Sequence, residues 1–551
     1  MTRLGGAVGS LVAGLLVWFA LVGPDAPSAL STASLVVVPL DGLVLLVVLL
    51  LLRGRVRRWV ALLAGVALGA VALLRALDLA FRAALDRPFD PVTDWTYLRS
   101  VRDLARDSLG PVASVAVLPA AAALAVGLLV VLPWSVLRLS RMAARHRTAS
   151  ARLVSVLAGV WLAGAATALQ LAAGAPLASA GAVGLATDHV ELARSELQDR
   201  QAFAAMTAVD PFRDTPPASL LTGLRGKDVL VVFVESYGRV AVEGPPEVSG
   251  PVTTALASAN SRLTAAGYSA RSAWLTSPTF GGISWLAHST LQSGLWVDSQ
   301  RRYDELVAGE RLTLAGAFHR AGWRTVADVP SNVRDWPQAS SFYHYDTVYD
   351  ARNVGYAGPQ FGYAQVPDQY TLKTLLDREL AMPGHRPVMA EVDLDSSHLP
   401  WAPLPQLLAW DAVGDGSVYT AMRDRAVPKD EVWRSRAGVR AAYGQSVAYA
   451  LGSLVAFAQA AHDDNLVMVV LGDHQPATVV SGTQADHDVP VTVISRDPQV
   501  MAGIEGWHWG DGVRPAHDAP VWRMDAFRDR FLTAFGPTST EPQPDLSRPE
   551  G

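Results

Sequence analysis

The chain has 551 residues, 50% hydrophobic and 18% charged, with a formal net charge of -5 and a mean hydropathy of +0.21. That length suggests about three to four ordinary domains, and the apolar content excludes disorder as the main state and points to a membrane-embedded part. The acidic balance gives no support for a nucleic-acid partner, and the absence of cysteine excludes disulfides, cysteine–zinc sites and thiol nucleophiles.

From the N-terminus, apolar runs lie at roughly 5–23, 34–52, 59–77, 112–136 and 153–178. Each is near or above the ~20 residues that cross ~30 Å of hydrocarbon as a helix. Residues 1–180 therefore read as a transmembrane domain of five predicted helices. A signal peptide is the alternative for the first run, but four more runs follow and no small-residue cleavage signal stands out. Arg53, Arg55, Arg57 and Arg58 fall in one loop and Arg138, Arg141, Arg145 and Arg147 in another. With five spans both loops share a side with Arg3, so the positive-inside bias predicts a multi-pass protein of the cell membrane. Its N-terminus is then cytoplasmic and everything after about residue 180 extracellular. Asp41, Arg75 and Asp78 lie in or at the ends of these runs, where a charge without a partner is costly. Arg75 and Asp78 are three apart and are expected either to pair with each other or to serve a lipid headgroup.

Residues 181–214, including DHVELARSELQDRQAF, read as a polar juxtamembrane helix and linker. Across 215–536 short β-rich runs alternate with helical stretches: KDVLVVFVE, ARSAWL, WRTVADV, PVMAEVDLD, NLVMVVLGD and VPVTVIS. That alternation predicts one large α/β domain with a mainly parallel sheet. The Pro- and Ser-rich tail at 537–551 reads as disordered.

Ligands of open α/β sheets bind at the carboxyl ends of strands. Two predicted strands end in acids, one at Glu235 and one at Asp473 followed at once by His474. Such a carboxylate and Asp-His pair can hold a divalent cation through oxygen and nitrogen, although strand-end acids also commonly cap helices. Between them, LTSPTFGGISWLAHSTLQSGL places Thr279 before a glycine pair and a helical pattern. A hydroxyl there is positioned either to meet an anion and act as a metal-activated nucleophile or, with Thr276 or Ser277, simply to cap the helix.

Glu235 in FVESYG, Thr279 in SPTFGG, His398 in DSSHLPW and Asp473-His474 in GDHQP follow the order seen in the alkaline phosphatase/sulfatase superfamily. The chain resembles its lipoteichoic acid synthase branch, which also has five N-terminal helices and an extracellular catalytic domain. The likeness spans nearly the whole chain. It implies that Glu235, Thr279, Asp473 and His474 bind one divalent metal, Mn²⁺ or Mg²⁺ foremost and Zn²⁺ as the alternative. It further implies that Thr279 carries the phospho group and that His398 lies near the substrate phosphate. The family's Trp-Asn-Arg group is matched only loosely by SNVRDWPQ, which offers Arg334 and Trp336 for substrate binding. An arginine fork suits phosphate oxygens, while a surface loop is the competing placement for Arg334. His487 in DHDVP is a further candidate, and Asp368 in FGYAQVPDQY reads as structural. A sulfatase is unlike this chain, which lacks the C/S-x-P-x-R pattern around Thr279.

The resemblance implies a membrane phosphotransferase that moves phosphoglycerol, or a related phospho-headgroup, from a phospholipid donor to an envelope glycolipid or glycan acceptor. Phosphoethanolamine transfer and phosphodiester hydrolysis are the alternatives within the superfamily. A non-catalytic lipid-sensing protein is the alternative outside enzymes, and the complete ligand set argues against it.

Overall fold

The computed structural model describes residues 2–25, 37–97, 111–172 and 175–537. Backbone contacts divide the chain into two units, Met1–Arg200 and Gln201–Gly551.

The first unit is helical. Its helices are α1 (Thr2–Val22), α2 (Leu40–Leu51), α3 (Gly54–Leu85), α4 (Pro111–Arg145) and α5 (Arg147–Thr167), followed by α6 (Gly181–Ala208). Three stretches are long and apolar enough to cross a membrane: Gly54–Ala83, Pro119–Arg145 and Arg147–Thr167. The apolar parts of α1 and α2, Ala7–Val22 and Leu40–Leu51, are shorter. Five runs thus give five helices among the described residues, of which three rather than five have full spanning length. The second run is helical only from Leu40, after Pro39, and its 12 residues rise about 18 Å. The fifth run starts its helix earlier than its apolar stretch and ends at Ala168, which is left-handed at φ 50°. Gln170–Ala172 then turns back to pair with Ala175–Pro176. The loop expected at 24–33 falls largely, and that at 78–111 partly, outside the described residues.

The predicted Arg75–Asp78 pair does not form. Arg75 donates to the Gly23 carbonyl. Asp78 accepts from the Phe89 amide at 2.9 Å and lies 3.1 Å from His189 Nε2 on α6. Asp41 accepts from the Ala182 and Val183 amides at 2.9 and 3.4 Å, capping α6 from a distant helix. Each polar group is drawn to an otherwise unmatched partner, because an orphan group surrounded by apolar chains costs more than a local helical pair returns.

The second unit is built on a nine-stranded sheet. Its strands are β1 (Asp228–Val234), β2 (Ser269–Thr276), β3 (Arg324–Val329), β4 (Thr347–Asp350), β5 (Val388–Leu394), β6 (Leu466–Gly472), β7 (Asp488–Ser495), β8 (Gly510–Asp511) and β9 (Val521–Arg523). They run in the order β8-β2-β7-β6-β1-β5-β3-β4, with β9 also paired to β2. The five strands from β6 to β4 are parallel, as expected, while β7 is antiparallel to both β6 and β2. Every residue of β1 and β6 is buried, which is why both read as unbroken apolar runs rather than alternating ones. On one face α7 (Pro246–Ala265) and α9 (Arg436–Ala461) cover Leu230, Val232 and Val470. On the other α8 (Ser284–Ser293) packs among residues that include Val231, Phe233 and Leu471. The tail read as disordered lies, beyond Pro537, outside the described residues.

Candidate active site

The central strands β6, β1 and β5 set the register of the site. Leu471 lies opposite Phe233, and Phe233 opposite Asp393. Side chains alternate between faces, so Asp473 and Glu235, each two past those residues, leave the sheet toward the face that carries Glu391 and Asp393. Continuing the strand past Val234 and Gly472 thus brings acids from three neighbouring strands to one edge.

Glu235, Asp473 and His474 come together there. Their ligand atoms all lie within 4.8 Å of one another, and all three side chains are buried. Asp473 Oδ1 accepts from the amides of Ser236 and His474 at 2.7 and 2.8 Å. Ser236 reaches that position in a left-handed conformation, φ 57°, a strain of roughly 1 kcal/mol for a non-glycine residue. Asp473 Oδ2 has no hydrogen-bond donor. Glu235 accepts from Ser236 Oγ at 2.8 Å and from Ser284 Oγ at 2.9 Å.

The histidine fixes the chemistry of the group. His474 Nδ1 lies 2.8 Å from the Gln475 carbonyl, which can only accept, so the ring proton sits on Nδ1. Nε2 then faces Ser284 Oγ at 3.2 Å, Asp473 Oδ2 at 3.4 Å and Glu235 Oε1 at 3.5 Å. A lone pair set among acidic oxygens suits a cation between them. Burial lowers the His474 pKa despite Glu235, which keeps it in the neutral, ligating form. Burial, then Glu235, pushes Asp473 well above the usual carboxylate range. Burial opposes charge on Glu235 as well, but His474 and His398 hold it down at about 2. Burial thus favours the protonated form of Asp473, while Glu235 keeps its charge.

Thr279 lies in a loop tied to this edge on both sides. Ser277 Oγ donates to the Asp473 carbonyl at 2.5 Å, and the Gly281 amide donates to the Gln475 carbonyl at 2.9 Å. Gly281, Gly282 and Ile283 all have positive φ, 71°, 155° and 66°, so the glycine pair allows a turn that most side chains would resist. The helix-capping alternative fails: α8 begins at Ser284 after Ile283 with no side-chain cap. Thr276 Oγ1 instead donates to Asp488 at 2.8 Å. The Thr279 hydroxyl is buried with no hydrogen-bond partner. Leaving it so costs about 1–3 kcal/mol, which a ligand would recover. Oxygen donors from Glu235, Asp473 and Thr279 with one imidazole nitrogen suit a divalent cation, so the residues present fit the expected metal.

His398 is half-buried, stacked on Tyr363 with ring centroids 3.6 Å apart. Its Nδ1 lies 2.5 Å from the Leu399 carbonyl. Asp368 is fully buried and accepts from both the amide and hydroxyl of Ser396, bracing the turn that carries His398. Burial raises it to about 7. The His487 ring lies 5.3 Å from Phe280, next to Thr279. Arg334 is exposed on its loop, and its carbonyl accepts from Arg352 at 3.1 Å. Trp336 joins Tyr343 and Tyr345 in an aromatic cluster, at 5.4 and 6.1 Å. Sequence reasoning did not single out His288, Glu391 or Asp393, which form a second group with ligand atoms within 4.8 Å. Acids alternating at Glu391, Asp393 and Asp395 inside an apolar strand were the available signal, since burying one costs several kcal/mol without a partner.

No family model and no curated protein matches the chain. Among solved structures it is similar to the lipoteichoic acid synthase LtaP from Listeria monocytogenes, with 12% identity over 62% of this chain and 79% of that one, at a TM-score of 0.37. It is also similar to the phosphoglycerol transferase GacH from Streptococcus pyogenes, with 12% identity over 60% and 78% of the two chains and a TM-score of 0.34. The integral membrane lipooligosaccharide phosphoethanolamine transferase EptA from Neisseria meningitidis matches along 96% of this chain and 95% of its own, with 13% identity and a TM-score of 0.46.

Proposed function

We propose that the chain is a membrane-anchored, metal-dependent phosphotransferase of the alkaline phosphatase/sulfatase superfamily. It moves phosphoglycerol from a phospholipid to an envelope glycolipid or glycan through a phospho-threonine intermediate. The observation that carries this reading is the buried, unpartnered Thr279 hydroxyl on a loop bound to the Glu235–Asp473–His474 edge.

Glu235, Thr279, Asp473 and His474 would hold the divalent cation, which supplies positive charge that favours ionisation of a nearby hydroxyl. Thr279 Oγ1 then attacks phosphorus; the phosphorus–oxygen bond to diacylglycerol breaks, and that oxygen takes a proton as it leaves. In the second half, an acceptor hydroxyl attacks the same phosphorus and the bond to Thr279 breaks, restoring its hydroxyl. His398 Nε2, on a ring fixed by Tyr363 and the Leu399 carbonyl, holds the phosphate oxygens or passes the proton. The helical unit keeps the chain in the membrane that contains the donor, with the N-terminus cytoplasmic and the α/β unit outside.

The test is to incubate the purified full chain with phosphatidylglycerol labelled in its headgroup. The expected result is diacylglycerol release and a phosphoglycerol mass increment on the peptide containing Thr279. Phosphatidylethanolamine in parallel decides between the two headgroups. Release without any adduct, from wild type and Thr279→Ala alike, would overturn the mechanism.

A further inference from the structure

His288, Glu391 and Asp393 lie on the same face as the site just described, one strand over. Glu391 and Asp393 are on β5 and His288 is on α8. His288 Nδ1 is 3.2 Å from Glu391 Oε1 and 3.7 Å from Asp393 Oδ1. The histidine ring is stacked flat on Phe233, with centroids 3.8 Å apart and an 11° angle between planes. Glu391 is held from behind: Tyr345 donates to Oε2 at 2.7 Å, and Gln292 Nε2 donates to the same oxygen. Donors that hold a carboxylate and packing that fixes an imidazole are how proteins orient metal ligands before the ion arrives.

Two further observations point to a missing cation. Asp393 Oδ1 is buried with no hydrogen-bond donor; the 3.7 Å approach of His288 is an ion-pair distance only. Glu235, Asp473, Glu391 and Asp393 are also four carboxylates at one sheet edge, and the ion pairs they make are all with histidine, a set of oxygen and imidazole donors that suits divalent cations.

We propose that His288, Glu391 and Asp393 form a second divalent-cation site, distinct from Glu235–Asp473–His474 and beside it. One nitrogen and two carboxylate oxygens suit Mn²⁺ or Zn²⁺. Ligand atoms about 2.1 Å from a common ion sit close to the observed spacing. With both cations bound, the edge presents more positive charge to phosphate oxygens. That consequence rests on the phosphotransfer reading; the cation site does not. In the cation-free protein a proton takes the place: burial opposes it, but Asp393 and Glu391 raise His288 to about 10.

The experiment uses the full chain in detergent, stripped with chelator, dialysed against Mn²⁺ and analysed for metal content. Wild type is expected to bind two equivalents. Asp393→Asn and His288→Gln should each fall to one, Glu235→Gln to one, and Glu235→Gln/Asp393→Asn to none. Anomalous diffraction from Mn²⁺-loaded wild type, which needs no variant to fold, should give a peak between His288, Glu391 and Asp393. One equivalent in wild type, lost in Glu235→Gln and retained in Asp393→Asn, would overturn the proposal, as would a wild-type map with a single peak. Turnover of labelled phospholipid is measured on the same preparation. Turnover with one bound cation sinks only the second site, whereas two cations without turnover sink only the phosphotransfer reading.

Discussion

The two units differ in how they bury acidic groups: the helical unit partners Asp78, Asp90 and Asp94 completely, while the α/β unit holds both partnered and unpartnered ones. In the helical unit, Asp78, Asp90 and Asp94 are all buried, and every carboxylate oxygen has a partner. Asp78 holds the Phe89 amide and faces His189, Asp90 holds Val92 and Thr93, and Asp94 holds Arg87 and the Asp90 amide. In the α/β unit, Asp228 and Glu379 are equally saturated, but Asp473 keeps one oxygen without a donor, Asp328 keeps two, and Asp368 and the less buried Asp393 keep one each. Asp473, Asp328 and Asp393 sit toward the carboxyl ends of parallel strands. A saturated buried acid is part of the scaffold; one left short of donors at a strand end lies where ligands of such sheets bind and needs a proton or a partner.

The strongest test of that contrast removes an unpartnered hydroxyl, that of Thr279. Thr279→Ala should lower turnover by on the order of 10³-fold or more, with an unchanged far-ultraviolet circular dichroism spectrum. Full turnover in that variant would place the nucleophile elsewhere. The next test compares the two kinds of acid directly. Asp78→Ala strips the acceptor from Phe89 and His189 and should cost about 3 kcal/mol, read as a lower unfolding temperature in detergent. Asp473→Asn preserves the shape and the acceptor for two amides. It should change metal-free stability by less than about 1 kcal/mol while abolishing the stabilisation that Mn²⁺ gives wild type. Equal losses in both metal-free variants would erase the distinction.

A smaller effect follows pH. The raised pKa of Asp473 means that binding a cation must release its proton. Affinity should therefore rise with pH, by at most about tenfold per unit below that pKa, as followed by titration calorimetry. The same shift gives the metal-free fold its Asp473-linked stability at low pH. That stability is lost as pH rises from the unfolded value of about 4 through the raised folded value. An affinity flat across pH 5–8 would contradict the raised Asp473 pKa. The smallest effect is expected from Ser277→Ala, which loses the bond to the Asp473 carbonyl and a longer one from the Thr279 amide and should cost about 1 kcal/mol.

What could be read from the sequence divides along the same line. Glu235 and Asp473-His474 were legible because each ends a fully apolar strand, where a charge stands out and the topology dictates its exit. The parallel centre of the sheet was legible for the same reason. Glu391 and Asp393 were passed over because an acid within a strand looks like an ordinary polar face until the register with Phe233 is known. The links of Arg75 to Gly23 and of Asp78 to His189 span 52 and 111 residues, so no local spacing announces them. The short α2 was hidden because hydropathy records composition, whereas the helix begins only after Pro39.

Gly472 separates two messages carried by one tripeptide. A Cβ there would stand 1.9 Å from the Tyr237 carbonyl oxygen, a contact no side chain can adopt without moving β6 against the turn after β1. The glycine of Gly-Asp-His is therefore demanded by the approach of two backbones, while the aspartate and histidine are demanded by the chemistry they flank. A descendant sequence could lose both reactive residues and still be held to glycine by folding alone. Searches that score the three letters together will count such inert descendants as active, and only the second and third letters discriminate between them.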